Sequence, residues 1–304
     1  MIKGTEDTRY AYVNGIIRAL EARFLTKGHF DRLVATDFSS YDTILSDTPY
    51  TGQRDMEVGI EAEENTLRGF FDKYCFTEEV IHFLNWPEQI HNLKVKLKGG
   101  GDDLLYMQVD DTIESWPEVV DEVARFALDK DPFVLSTNLD KILCCYLYQA
   151  AQFVPFFEGY YRLHFELENI RSFFRARQFE NRRHILEQVY IPVGRLELNF
   201  LIENLDVGQD NLGRNFFNTP YAGVVEKGGL YFEENNSFLR LERLCEENRL
   251  EYLLQARRMT FGVEPLFGYY QFKMSEIRKL RQVYWGKLNE VGLEELKESI
   301  PDVW

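Results

Sequence analysis

The sequence predicts an all-α protein, and three observations carry that reading. Proline and glycine are scarce, 9 and 20 in 304 residues, so few breaks interrupt regular elements. Apolar residues recur at helical spacing in segment after segment. Strand-like alternation is nearly missing; only GGLYFEEN, from Gly228 to Asn235, reads as a small hairpin piece or an aromatic-anchored loop. The chain is 45% apolar, with 24 Phe and 17 Tyr, enough to build a core and too rich for bulk disorder.

The elements follow in order. Val13, Ile16, Ile17, Leu20 and Phe24 form one apolar stripe, and Gly28 reads as its stop. HFDRLVA continues as a second helix, and DFSSYDTIL as a short one that ends at SDTPY. Thr77 followed by two glutamates opens another helix, which Trp86-Pro87 interrupts or restarts. KGGGDDLL is a loop. Pro117 begins a helix at its first turn, and TNLDKILCCYLYQAAQF reads as a buried one. Asn204 to Gly229 reads as loop-rich. Helices resume from Ser237 to Met259 and from Tyr269 to about Gly286, and GLEELKESIPDVW closes the chain as a short helix and tail.

Charge and cysteine use exclude several function classes. Net charge is −15, which argues against wrapping nucleic acid and against broad docking on an anionic membrane. Cys75, Cys144, Cys145 and Cys245 lack metal spacing and read as small buried hydrophobes in a reducing compartment. The N-terminus carries no apolar signal core. The longest uncharged run, Ile142 to Phe157, is too short to span a bilayer and reads as a buried helix.

Internal repetition is the most informative pattern. Thr48-Pro49-Tyr50 recurs as Thr219-Pro220-Tyr221, and Gly159-Tyr160-Tyr161 as Gly268-Tyr269-Tyr270. A third word occurs three times: HNLKVKLK from His91, ENIRSFFR from Glu168 and SEIRKLRQ from Ser275. It aligns Asn92 with Asn169 and Glu276, and Lys94 with Arg171 and Arg278. Ten residues separate Gly159 from Asn169 and eight separate Gly268 from Glu276. Two residues rotate a helix face by roughly 200°, so a kink absorbs the difference or one match is accidental.

The basic positions are the candidate functional residues. Lys94 and Lys98 share a helix face, as do Arg171 and Arg175; in the third word Arg278 is followed by Arg281, with Gln282 at the last position. Two readings stand: solvated faces paired with the abundant glutamates, or a local positive surface for a partner. The acidic stretch Glu57 to Asn65 reads as a solvated helix face, with cation binding as the alternative. The words Glu79-Val-Ile-His82 and Glu88-Gln-Ile-His91 resemble carboxylate-bridged metal motifs but lie nine residues apart, not on facing helices. No phosphate loop and no nucleophile elbow is written in the sequence. Tyr160, Leu163, Leu167, Ile170 and Phe174 form a core stripe at helical spacing.

Taken in order, YAYVNGIIRALEARFL, TPY, IHNLKVKLK, ELENIRSFFRAR and PLFGYYQFKMSEIRKLRQVYWGKLN resemble the C subunit of the archaeal and bacterial V-type (A-type) ATP synthases, the counterpart of the d subunit of the vacuolar ATPase. The resemblance covers nearly the whole chain. It implies three helical subdomains, drawn at 1–101, 102–186 and 187–304, around a pseudo-threefold axis as a funnel. It also implies a non-catalytic adaptor without cofactor or metal, seated on the membrane rotor ring and receiving the foot of the central stalk. Its partners would be the shaft subunits and the ring. Nucleic acid, direct membrane insertion and obligate homo-oligomerisation are not expected. Lys94, Lys98, Arg171, Arg175, Arg278 and Arg281 would then be partner-binding residues. A helical scaffold unrelated to the motor and a di-metal carboxylate protein are the alternatives.

Overall fold

A computed structural model describes residues 4–50, 56–106 and 112–303. Its regular elements are helices, with no strand among the described residues. In chain order they are α1 (Ala11–Glu21), α2 (Lys27–Ala35), α3 (Tyr41–Ile44), α4 (Met56–Tyr74), α5 (Glu78–Leu97), α6 (Pro117–Asp129), α7 (Pro132–Ala151) and α8 (Pro155–Ala176). There follow α9 (Arg182–Val189), α10 (Leu198–Glu203), α11 (Gln209–Asn215), α12 (Ala222–Asn235), α13 (Leu239–Leu253), α14 (Glu264–Leu288) and α15 (Leu293–Glu298). Prolines start rather than break several of them: α6, α7, α8 and α14 each carry one in the first two positions, where no intrahelical N–H is needed.

The chain forms two compact units. One joins Met1–Cys75 to Phe216–Trp304; the other is Phe76–Asn215. In the first, α14 is the central element, and α1, α2, α4 and α13 pack on it. Phe71 meets Tyr270 at 5.0 Å between ring centres, and Phe267 and Ile277 are fully buried. The N-terminal segment is stitched to the approach to α14. Glu264, fully buried, accepts from Thr5 N at 2.6 Å and Thr5 Oγ1 at 2.9 Å, and Asn14 Nδ2 donates to the carbonyls of Thr260 and Gly262. In the second unit α5, α7 and α8 form the core, where Phe83 lies 4.7 Å from the Tyr161 ring and 5.4 Å from Phe157.

Several boundaries differ from the sequence reading, each for a physical reason. The first helix ends at Glu21, before Phe24, and Gly28 sits inside α2. Pro87 does not interrupt α5, which runs unbroken for 20 residues. Val80, Phe83 and Leu84 before the proline and Ile90 and Leu93 after it are all buried, so packing on both sides offsets the missing hydrogen bond. The uncharged run at 142–157 is not one buried helix: α7 ends at Ala151 and Pro155 opens α8. Buried Leu135, Leu139, Leu143 and Leu147 recur every four residues, so α7 buries one stripe and leaves Cys145 exposed and Cys144 half-buried. Cys75 and Cys245 are buried. No helix among the described residues is long and apolar enough to cross a membrane.

The segment read as loop-rich holds α11 and the start of α12, and GGLYFEEN is helical. Gly228 serves close packing rather than a turn. A Cβ built on Gly228 would lie 2.8 Å from Leu241 Cδ1 and 3.1 Å from the Leu241 Cα, so α12 and α13 touch backbone to side chain. Gly228→Val should cost about 2 kcal/mol through overpacking, read as a lower urea midpoint; an unchanged midpoint would contradict this account of the α12–α13 contact. The tail residue Trp304 lies outside the described residues.

Candidate functional site

The two Thr-Pro-Tyr words fold alike. Thr48 N and Oγ1 both donate to Leu45 O, at 3.0 and 2.7 Å, and Tyr50 N donates back to Thr48 Oγ1 at 3.4 Å. Thr219 N and Oγ1 both donate to Phe216 O at 2.8 Å, and Tyr221 N donates to Thr219 Oγ1 at 3.2 Å. A threonine that satisfies its own turn and a tyrosine that anchors it (3% exposed in both) account for the word.

The threefold basic word lies at the end of α5, late in α8 and midway along α14. Its aligned residues share burial: Asn92, Asn169 and Glu276 are inside, and Leu93, Ile170 and Ile277 behind them. Each buried polar group holds the backbone of another segment. Asn92 Nδ2 donates to Tyr106 O at 3.0 Å while its Oδ1 accepts from Tyr106 N at 2.8 Å. Asn169 does the same to Ile191, at 2.9 and 2.8 Å. Glu276 accepts from Leu25 N at 2.5 Å and from the Tyr50 hydroxyl at 2.8 Å.

A second buried polar residue stands three positions earlier in every copy, on the same helix face. Gln89 Oε1 accepts from Ile113 N at 3.3 Å and Thr112 Oγ1 at 3.1 Å; Glu166 accepts from Arg195 N; Lys273 donates to Glu276 at 2.5 Å and Glu63 at 3.2 Å. The sequence reading missed these three because Gln, Glu and Lys share no identity. The signal available was position: a polar residue three before the aligned Asn or Glu inside an apolar run. Asn169→Ala would leave the Ile191 N–H without its partner and its carbonyl with Val193 N alone. An expected loss of about 2 kcal/mol in urea unfolding tests it, and a loss under ~0.5 kcal/mol would show that water replaces the clamp.

The Gly-Tyr-Tyr match marks no equivalent position. α8 and α14 are both continuous, so the two-residue offset turns the words to different faces. Both words are buried nonetheless, because these central helices are enclosed nearly all round. Along α8, Tyr160, Leu167, Ile170 and Phe174 are core, and Leu163 is half-buried.

The six candidate cations are not brought together into one cluster by any described contact. Lys94 pairs with Asp140 on α7 and has 18% of its side chain exposed; exposed Lys98, at the end of α5, donates to Ser136 Oγ. Arg171 pairs with Glu168, one turn back on α8. Arg175 is exposed in the last turn of that helix. Arg281 Nε reaches Glu57 at 2.6 Å and its Nη2 reaches Glu64 at 3.1 Å. Arg278 is exposed on α14, within the field of Glu246. The acidic stretch of α4 is therefore no solvated face: Glu57, Glu63 and Glu64 take up Arg281 and Lys273.

The histidine words have local partners. His82 stacks on Trp86 at 4.5 Å between ring centres, and His91 Nε2 lies 3.0 Å from Leu104 O. No group of three or more His, Cys, Asp or Glu side chains is arranged to hold a metal among the described residues.

The chain is similar to the C subunit of the V-type sodium ATPase of Enterococcus hirae, 21% identical over an alignment that covers 97% of this chain and 99% of that protein. A family model described as the ATP synthase (C/AC39) subunit matches residues 13–299, a stretch that takes in both Thr-Pro-Tyr turns and all three anchored helices. This chain belongs to the ATP synthase (C/AC39) subunit family.

Proposed function

We propose that this chain is the non-catalytic central-stalk adaptor of a V-type ATPase or ATP synthase, joining the shaft to the membrane rotor ring and passing torque for ion transport. The observation that carries the reading is the family match over residues 13–299. The geometry suits the task. α5, α8 and α14 are pinned through buried polar pairs to neighbouring segments, so load on a helix is taken up by the chain around it. A close-packed interior with few adjustable contacts resists deformation. The adaptor would lie peripherally at the cytoplasmic face, meeting the membrane only through the ring, with no nucleic-acid partner and no obligate self-association.

Part of the same proposal is a pseudo-threefold body of three helical subdomains, 1–101, 102–186 and 187–304. One anchored helix in each segment supports it. The partner contacts proposed for Lys94, Lys98, Arg171, Arg175, Arg278 and Arg281 rest mainly on Arg175 and Arg278, which are exposed. Lys94, Arg171 and Arg281 hold ion pairs within the chain, and Arg175 and Arg278 have contacts of their own there.

Binding of the purified chain to the shaft subunits and to the solubilised ring, at low and high salt, tests the proposal. Arg175→Glu with Arg278→Glu should weaken shaft binding by about tenfold and flatten its salt dependence. Unchanged binding would remove the cationic contact. Binding to neither shaft nor ring would overturn the adaptor role and leave a helical scaffold outside the motor.

A further inference from the structure

A cavity of about 530 Å³ opens in the unit built from Met1–Cys75 and Phe216–Trp304, between α1, α4 and α14. Nothing in the adaptor reading uses it. Its walls are apolar: Ile16 and Leu20 from α1, Leu67 and Phe70 from α4. Two exposed cations on its lining, Arg23 and Lys73, have no ion-pair partner among the described residues. Lys73 Nζ lies instead 5.0 Å from the centre of the Tyr74 ring.

Tyr269, 7% exposed, also lines the cavity, with a hydroxyl that has no hydrogen-bond partner among the described residues. Burial raises its pKa well above the ordinary tyrosine value, so it stays a neutral donor. Of the remaining charged lining, Lys273 sits between Glu63 at 3.2 Å and buried Glu276 at 2.5 Å. The lining offers two exposed cations and one O–H donor beside an apolar hollow, the arrangement of a pocket that takes an anionic head and an apolar body.

α4 keeps the hollow open at a cost. Gly69 stands in mid-helix on the lining, and a Cβ built there meets nothing within 4 Å. Glycine at such a site is the least favourable residue for a helix after proline, and no close approach requires it here.

We propose that this cavity binds a small anionic amphiphile. Arg23, Lys73 and the Tyr269 hydroxyl hold its carboxylate or phosphate head, and Ile16, Leu20, Leu67 and Phe70 cover its single apolar chain. The proposal stands independently of the adaptor role. Such a ligand has two sources, free in solution or as an anionic lipid of the bilayer.

Titration calorimetry on the full chain separates them, with decanoate, decyl phosphate, decanol and inorganic phosphate as soluble probes and phosphatidylglycerol vesicles as the membrane probe. Decanoate and decyl phosphate should bind at least tenfold more tightly than decanol or phosphate alone. Arg23→Gln with Lys73→Gln should weaken them by about tenfold or more. Gly69→Phe, which adds bulk at an open site and favours the helix, should block binding while the protein stays folded by circular dichroism. Binding of monomers without vesicles assigns the free source; binding of both, each lost in Gly69→Phe, assigns the lipid. The proposal is overturned if neither anion binds, if decanol binds as well as decanoate, or if vesicle binding survives Gly69→Phe.

Discussion

Replacing Glu276 by leucine should destabilise the protein by about 3–5 kcal/mol, the cost of breaking a buried ion pair from one side. Glu276 is fully buried and Lys273 2% exposed, one turn apart on α14 and 2.5 Å from each other. Removing the carboxylate leaves Lys273 with Glu63 alone, and strands the Leu25 N–H and the Tyr50 hydroxyl that Glu276 accepts from. Lys273→Met should be nearly as costly, since it leaves two carboxylates facing each other without a cation. The double variant should cost clearly less than the two single losses together, because both charges then leave the interior. It should not return to the parent value, since Leu25 N and the Tyr50 hydroxyl still lack an acceptor. Urea unfolding of the four proteins closes the cycle. A single-variant loss below ~1 kcal/mol, or strict additivity, would contradict the account of this pair as the anchor of α14.

Acid should remove a second contribution of about 3 kcal/mol, traceable to Glu246. Burial alone would raise this carboxyl. Lys279 at 3.2 Å and Arg249 at 3.4 Å, with a hydrogen bond from Ser275 Oγ and the field of Arg278, outweigh burial and hold it at about 2. A folded-state pKa below the ordinary value of 4.5 means that the stabilisation is fully present above about pH 4.5 and is lost as pH falls towards 2. The full shift corresponds to about 3 kcal/mol. Glu246→Gln should therefore be less stable than the parent by this amount at pH 6, with the gap closing as pH falls through 4 and 3. A gap that does not change with pH would mean that the glutamine loses packing or hydrogen bonds rather than charge. The group ties α13 to α14, so the test also reports on the packing beside exposed Arg278.

Much of the fold was legible because helices announce themselves locally. The stripe through Val13 and Ile17, the proline at 117 and the acids after Thr77 are signals read within a few residues. The misread places are those where a distant contact overrules a local rule. Pro87 is carried through α5 by burial on both sides, and Gly228 is helical because Leu241 needs the room. Cys145 is exposed because α7 buries only its leucine stripe. The repeated words divide along the same line. Thr-Pro-Tyr carries its own turn in its side chain and folds alike twice, whereas Gly-Tyr-Tyr lies inside continuous helices and takes whatever face its helix presents.

The sequence by itself determined that this chain is helical, that its family is read from motifs spread along its full length, and that a basic word recurs three times. The helical class follows from spacing and composition, which local chain geometry converts directly into structure; the family follows from the resemblance of those motifs. Tertiary structure alone decided what the recurring word is for within the fold. It paired Lys94, Arg171 and Arg281 with carboxylates, and it turned Asn92, Asn169 and Glu276 inward to hold other stretches of backbone. The physical reason is that a buried polar side chain must find a partner, and that partner lies 14 residues away for Asn92, 22 for Asn169 and 251 for Glu276. No spacing rule reaches so far along the chain.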